Sequence, residues 1–373
     1  MVIKEQLAEK ALELGFVDVG FTTADTFSGY IEEVRSRPEQ HYGRWITKRF
    51  NLVDGARVQE RHPWGKSIMV LLKNYHRRRV PPQLAGIIGR GYLVDERVTK
   101  RQEYGWLMEF FGLLKAEGIR FHFDNSLPAR RAAVRAGLIN FGKNCIGYSN
   151  RVARGASWLE IIPLVLDVEI EPDQPSMEIG CPKWCANACM IACPTRALYS
   201  PAKLNPPRCI AYNTYYGDTI TPLEMREPMG TWIYGCDRCQ EVCPRNTPWA
   251  QQDLPPNPDL ESKVEDLLPQ TLLNMSQEHY VEKVWPQAFY ISPKYKAKWQ
   301  MNAARALGNQ GDPDNVPLLI QSFSNSPHEM VRGMCAWSLG QLGGARARAA
   351  LEGRMLRENG LVRFEIEKAL EIT

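Results

Sequence analysis

The sequence predicts a chain of successive parts. An α/β domain covers residues 1–170, and a cysteine-rich module too poor in apolar residues to hold itself together covers 171–250. A connecting stretch (251–290) then leads into α-helical repeats over 291–373. Three observations carry this reading. Apolar runs of helical and strand spacing alternate through the first part, the signature of an α/β domain. Eight of the ten cysteines fall between Cys181 and Cys243. Beyond residue 300 the chain repeats itself: Ala306-Leu307-Gly308 recurs as Ser338-Leu339-Gly340, Gly311 matches Gly343, and Val331-Arg332 recurs as Val362-Arg363.

In the α/β part, residues 3–14 have helical apolar spacing and 16–21 read as a short strand with Gly20 inside it. Residues 67–72 are a continuous apolar run of strand length, which predicts burial on both faces. Residues 104–116 form an amphipathic helix closed by Gly118, a natural C-cap. Residues 119–123 run as a strand into Asp124, and 158–170 are one long strand or a strand pair. The module that follows is rich in Pro, Cys and Asn and loses apolar periodicity, so its stability must come from cross-links. Leu254-Pro-Pro-Asn-Pro-Asp259 marks the next boundary. The repeat period of about thirty-one or thirty-two residues is that of stacked helical hairpins. Cys335 sits on their core stripe and reads as packing.

The cysteines form two groups, each ending in Cys-Pro. The first is Cys181, Cys185, Cys189 and Cys193 before Pro194; the second is Cys209, Cys236, Cys239 and Cys243 before Pro244. Eight thiolates are the ligand count of two [4Fe–4S] clusters, and a terminal Cys-Pro is how ferredoxin-like modules hold them. Zinc ribbons favour paired Cys-x-x-Cys without that proline, and disulfide frameworks suit small secreted domains. The opening Met-Val-Ile-Lys-Glu-Gln lacks the apolar core of a signal peptide, and no apolar stretch reaches the ~20 residues of a membrane span. A cytoplasmic protein without membrane contact is expected, and the net charge of +4 permits nucleic-acid binding without requiring it.

Carried over from ferredoxin-type pairs, in which the cysteine before proline serves the other cluster, Cys181, Cys185, Cys189 and Cys243 hold one cluster. Cys209, Cys236, Cys239 and Cys193 hold the second. The first group is spaced C-x3-C-x3-C-x3-C-P, wider than the usual C-x2-C-x2-C-x3-C-P, which predicts a reshaped loop around that cluster. The C-terminal units resemble HEAT repeats.

The stretch from Phe123-Asp124 through Arg131 and Gly137 to Gly142-Lys143-Asn144 resembles the cobalamin-dependent epoxyqueuosine reductases, whose segment reads roughly V-D-T-x-P-x-x-x-R-A-x-A-x-x-A-G-L-G-W-I-G-K-N. Ala156-Ser157-Trp158, Arg208-Cys209-Ile210-Ala211-Tyr212 and Tyr234-Gly235-Cys236-Asp237 extend the likeness, which is specific from Asp124 to Pro244 and agrees in part order over nearly the whole chain.

The resemblance implies a corrinoid-binding N-terminal catalytic domain. It implies reduction of epoxyqueuosine to queuosine in tRNA, two [4Fe–4S] clusters, cobalamin, and an external electron donor such as ferredoxin or flavodoxin. It also implies that Asp124 is the general acid and that Arg131, Gly142, Lys143, Asn144 and Ser157 lie at the cofactor. An aspartate acid needs a pKa raised above its ordinary ~3.9. Phe121, Phe123 and the corrinoid are expected to raise it by excluding water, with Arg131 opposing them. By residue type alone, Asp124 also suits a helix N-cap, Arg131 a solvated helix surface, Gly142-Lys143-Asn144 a loop and Cys145 a buried inert thiol.

Asn125-Ser126-Leu127 replaces the family's Thr-x-Pro, and residues 88–96 match the family poorly. These departures leave open a different substrate, as in a reductive dehalogenase-like enzyme, or a two-cluster electron-transfer protein. Two basic segments suit phosphates: Arg77-Arg78-Arg79 with Arg90, Arg97, Lys100 and Arg101, and Lys294, Lys296, Lys298 and Arg305 with Tyr295 and Trp299 for stacking on bases. His62, His76 and His122 have no ligand spacing and are assigned no metal.

Overall fold

The computed structural model describes residues 3–38, 40–41, 51–151, 156–177, 179–217 and 219–372. The chain divides into two compact units. The first gathers Met1–Arg77, Lys100–Pro206 and Arg238–Leu254, and the second Arg78–Thr99, Pro207–Asp237 and Pro255–Thr373. These units are not runs of sequence. Residues 78–99 leave the α/β region for the helical unit, and the cysteine-rich segment is shared between both.

The first unit is a four-stranded sheet between two pairs of helices. Helix α1 (Ile3–Leu14) leads to β1 (Asp18–Thr23), then α2 (Ser28–Arg35) and β2 (Ser67–Asn74). Helix α3 (Gln102–Ala116), β3 (Phe121–Phe123), α4 (Ala129–Arg135), the hairpin β4 (Ile139–Phe141) and β5 (Gly147–Ser149), and β6 (Leu159–Leu166) complete it. The sheet order is β1-β2-β6-β3 and every pairing is antiparallel. β1 starts two residues later than its apolar pattern predicts. Gly15 ends α1 at φ +114°, and Phe16 is spent as a core side chain before pairing begins.

The uninterrupted apolar run of β2 is explained by cover on both faces. Ile68, Val70 and Leu72 pack with residues of α2 and α4, such as Ile31 and Ala133. Met69 and Leu71 pack on the opposite face with Leu7, Phe110 and Leu114 of α1 and α3. All five are fully buried, and each contributes roughly 1.5–3 kcal/mol relative to exposure. Residues 158–170 give the single strand β6. β3 pairs with it only as far as Phe123↔Leu164. The next residue of β6 is Pro163, which has no N–H for a ladder, and β3 stops there. That stop leaves Asp124 at the sheet's end.

The second unit is helical. Its repeats are α5 (Lys296–Gln310), α6 (Val316–Asn325), α7 (Glu329–Leu342), α8 (Ala345–Met355) and α9 (Gly360–Leu370). The recurring glycines are contact points between successive repeats. A Cβ on Gly308 would lie 2.8 Å from the Ser338 Cβ, and one on Gly340 would lie 2.7 Å from the Ala369 Cβ. Ser338 Oγ donates to Ala304 O at 2.8 Å across the first of these contacts. Cys335 is fully buried among the repeat helices.

Replacing Gly340 by Val should therefore force α7 and α9 apart and destabilise the protein by about 2 kcal/mol or more. Gly353→Ala is the control, because nothing lies within 4 Å of its Cβ position. It should be neutral or stabilising by up to about 1 kcal/mol. Thermal unfolding followed by circular dichroism checks both, and equal midpoints for the two variants would contradict the packing.

Candidate active site and cluster ligands

Asp124 is buried at the end of β3 and surrounded by donors. Arg61 Nε lies 3.1 Å and His62 Nε2 2.8 Å from Oδ2. Arg61 Nη2 lies 3.3 Å and the Ser126 N–H 2.8 Å from Oδ1. Burial pushes this carboxyl's pKa up, but the hydrogen bonds from His62, Ser126 and Arg61 and the guanidinium charge outweigh it and hold the pKa at about 2. Two expectations are corrected here. The cation on Asp124 is Arg61, where Arg131 was expected. The aromatics flanking Asp124 on β3 do not wall it in: Phe121 and Phe123 pack into the α1/α3 core, with Phe121 4.7 Å from Phe111. Nor does Asp124 cap α4, whose N-cap is Pro128.

Arg61 ends a single helical turn, Val58–Arg61, and His62 follows it. The chain turns back at once through the Gly65 N–H bond to His62 O, 2.8 Å. A Cβ on Gly65 would strike Val165 of β6 at 2.5 Å, so this turn lies directly on the strand. Val165 pairs with His122 of β3, and the His62 and His122 rings lie 4.9 Å apart. Sequence spacing gave no hint of this pairing, since residues 62 and 124 are joined only by the order of the strands.

The Gly142–Asn144 segment forms the tip of the β4–β5 hairpin. A Cβ on Gly142 would lie 2.4 Å from the Tyr148 ring, so only glycine fits. The Lys143 N–H donates to Cys181 Sγ at 3.3 Å, and its Nζ donates to Asn187 Oδ1 at 2.7 Å. Asn144 Nδ2 donates to Tyr148 Oη at 2.9 Å and Cys239 O at 3.1 Å. Arg245, two residues past Cys243, donates to Asn140 Oδ1 at 2.9 Å and Gly180 O at 3.3 Å and lies over the Tyr148 ring. One hairpin thus grips both ends of the cysteine-rich segment. Cys145 sits in it at φ +64°, half-buried, a left-handed conformation that costs a non-glycine residue about 1 kcal/mol or more.

Three cysteines of the first group converge with Cys243 of the second. Burial first, and then the neighbouring sulfurs of Cys181, Cys243 and Cys185, raise the Cys189 thiol to about 11. These are the four residues expected to share one cluster. Four thiols gathered at one place are a donor set that suits iron. Tyr148, whose pKa burial and then Cys243 push up, stays protonated beside them. Cys193 accepts from the Ala197 N–H at 3.3 Å.

The four residues expected at the second cluster are divided between the units: Cys193 and Cys239 belong to the first, Cys209 and Cys236 to the second. In the second unit, Cys209 neighbours Tyr92 and Tyr215, whose hydroxyls share a 2.9 Å hydrogen bond and whose pKa values burial, above all, raises. Cys236 packs against the small cluster of Ile210, Met225, Met229 and Trp232.

Other expected site residues take varied places. Arg131 is half-buried on α4 over the Phe141 ring at 4.8 Å, and burial lowers its pKa. Ser157 Oγ donates to Gln240 Oε1 at 2.8 Å and accepts from Asn246 Nδ2 at 2.9 Å, so its hydroxyl anchors the chain around Cys243. The second basic segment is overturned as a phosphate surface. Trp299 is fully buried and stacked on Tyr234 at 4.7 Å. Arg305 is fully buried with its guanidinium on Gly230 O and Trp232 O, and burial lowers its pKa to about 9. Lys298 Nζ is held by Gly217 O at 2.6 Å. Of that segment, Lys294 and Tyr295 are exposed. In the first basic segment Arg77, Arg78 and Arg79 are exposed, while Arg97 is paired with Asp95.

Comparison with known proteins places the chain among known ones. Residues 181–246 match the family model described as a 4Fe-4S double cluster binding domain, and residues 294–371 match HEAT repeats. An epoxyqueuosine reductase from Bacillus subtilis is 30% identical over 387 residues, covering 99% of this chain and 96% of the relative. A solved structure of epoxyqueuosine reductase from that organism, with its catalytic aspartate loop swung out of the active site, superposes with a TM-score of 0.83 at 28% identity, covering 99% of this chain and 98% of that one. A crystal structure of epoxyqueuosine reductase with an epoxyqueuosine-modified tRNA-Tyr stem loop gives the same TM-score, identity and coverage. With this degree of identity sustained over both full lengths, the chain belongs to the epoxyqueuosine reductase family.

Proposed function

We propose that this chain reduces epoxyqueuosine in tRNA to queuosine, with Asp124 delivering a proton to the departing epoxide oxygen. The eight grouped cysteines hold two [4Fe–4S] clusters that carry the electrons, and cobalamin is the second cofactor. The observation that carries this reading is the buried Asp124 carboxylate in its cradle of donors, in the same compact unit as the converging thiols of Cys181, Cys185, Cys189 and Cys243. The related structure bound to a modified tRNA stem loop supports the substrate, and the catalytic aspartate loop of the Bacillus subtilis structure supports the role of Asp124.

The residues suit a corrinoid, whose rim of amides needs polar partners. Among the described residues His41 Nδ1 is buried without a hydrogen-bond partner, and its ring lies 5.6 Å from Tyr199. Tyr199 accepts from Arg37, Arg37 donates to Ala202 O, and the Ala202 N–H donates to Lys143 O, so this free nitrogen is linked to the Gly142–Asn144 tip. Gly142, Lys143 and Asn144 would hold the cofactor with their backbone, Arg131 would meet a polar group, and Ser157 would fix the segment beneath. When bound, cobalamin supplies a strongly reducing cobalt centre that turns single-electron deliveries into a two-electron reduction. Exposed Arg77, Arg78, Arg79 and Lys294 remain available to tRNA phosphates, and a ferredoxin or flavodoxin would serve as donor. Among the described residues no helix is long and apolar enough to cross a membrane.

Anaerobically reduced protein with cobalamin should convert epoxyqueuosine-containing tRNA to queuosine. Absence of product would refute the substrate, and failure to retain cobalamin would point to a plain electron carrier. Asp124→Asn should keep both clusters and cobalamin uptake yet lose turnover by about 10²-fold or more. Iron content should be ~8 per chain and fall to ~4 in Cys189→Ala.

The ionisation of Asp124 has its own test. Its folded pKa of about 2 lies below the ordinary 3.8, so the ionised form contributes stability above the ordinary value and loses it as pH falls through 2. The contribution is about 2 kcal/mol. The infrared difference between wild type and Asp124→Asn at about pH 5 should show a carboxylate band only. A protonated carbonyl band there would contradict the Arg61–His62 cradle.

A further inference from the structure

We propose that His62 is a second proton-bearing residue of the active site, and that it reloads Asp124 during turnover. This rests on the reading of Asp124 as the acid. The stoichiometry demands such a residue. Reducing an epoxide to an alkene breaks two C–O bonds, forms one C=C bond and releases the oxygen as water, consuming two electrons and two protons. The electrons come from the reductant of the proposed reaction, through the clusters. A single carboxyl holds one proton.

Every polar neighbour described at the Asp124 carboxylate is a donor or can be one: the Arg61 guanidinium, the Ser126 N–H and His62 Nε2. Arg61 cannot release a proton near neutrality, and neither can a backbone amide. Imidazole can, because its proton affinity lies in the working range of an enzyme. His62 Nε2 is 2.8 Å from Asp124 Oδ2, within transfer distance, and the histidine is 8% exposed. Among the described residues, Trp64 meets its ring at 5.6 Å, with Arg120 over that indole at 4.2 Å, and exposed His122 meets it at 4.9 Å. Arg61, itself paired with Asp54 at 3.1 Å, shares the Asp124 carboxylate. His122 thus joins His62 to an exposed ring.

The transfers balance. The resting carboxylate takes its proton from His62: the His62 Nε2–H bond breaks as an O–H bond forms at Asp124 Oδ2, and that O–H bond breaks in turn as the proton goes to the substrate oxygen. Neutral His62 regains a proton from water, and the same relay delivers the second proton. No electron moves in these steps.

The experiment compares wild type, His62→Gln and Asp124→Asn, each reduced anaerobically with cobalamin and epoxyqueuosine-modified tRNA stem loop, from about pH 5.5 to 8.5. Glutamine keeps a hydrogen bond to Asp124 but cannot carry the proton. His62→Gln should lose turnover by about 10²-fold with iron content and cobalamin absorption unchanged. The pH dependence of turnover should differ between wild type and His62→Gln. Wild-type turnover and an unaltered pH profile in His62→Gln would overturn the proposal. If His62→Gln loses iron, His62→Asn decides: wild-type turnover with iron intact overturns it. Retained turnover in Asp124→Asn would instead refute the reading of Asp124, whereas a dead Asp124→Asn beside a fully active His62→Gln refutes only the role of His62.

Discussion

The structure depends on sulfur atoms that repel one another being held together. The segment between Cys181 and Pro244 has one-turn helices such as Ala188–Ile191 and Arg238–Glu241 and a ribbon of two very short strands. Its own apolar cluster is four buried residues, Ile210, Met225, Met229 and Trp232. So little burial cannot fix a chain that long, and metal–thiolate bonds take the place of a core. The protein's own contribution is to aim the sulfurs. It does so from outside the segment, with the Lys143 N–H on Cys181, Tyr148 beside Cys243, and Arg245 reaching Gly180 and Asn140. Hydrogen bonds to cluster sulfurs also set reduction potential, so the hairpin that positions the ligands is placed to tune them.

Much of this was legible in the sequence because it is written locally. Helix α1, strand β2 and the Gly118 stop follow from apolar spacing and glycine chemistry within a few residues. The repeat glycines were visible as a pattern, and their purpose emerged as close helix contacts at Ser338 and Ala369. What stayed hidden was non-local. Arg61 and His62 are meaningless as a pair until a turn on Gly65 lays them on β6 beside β3. The basic stretch around Trp299 was misread for the converse reason. Charge counts do not report burial, and Arg305 and Lys298 neutralise backbone carbonyls inside the helical unit.

Asp124 carries a tension that the fold makes explicit. An acid must hold its proton at working pH, yet Arg61, His62 and Ser126 favour the anion. Burial alone, the effect expected from its neighbours, loses to directed hydrogen bonds from three residues and to the charge of Arg61. The group best suited to bear a proton in this arrangement is the imidazole across the 2.8 Å contact, because a guanidinium and an amide are fixed in their protonation. On the proposed reading, the cradle keeps the carboxylate a good acceptor from His62.

Arg61 is the adjustable member. Its guanidinium is shared between Asp124 and the more exposed Asp54, so its charge is divided between a buried and a wet partner. A solvated pair exchanges partners at little cost, whereas withdrawing a cation from a buried carboxylate raises that carboxyl's pKa sharply.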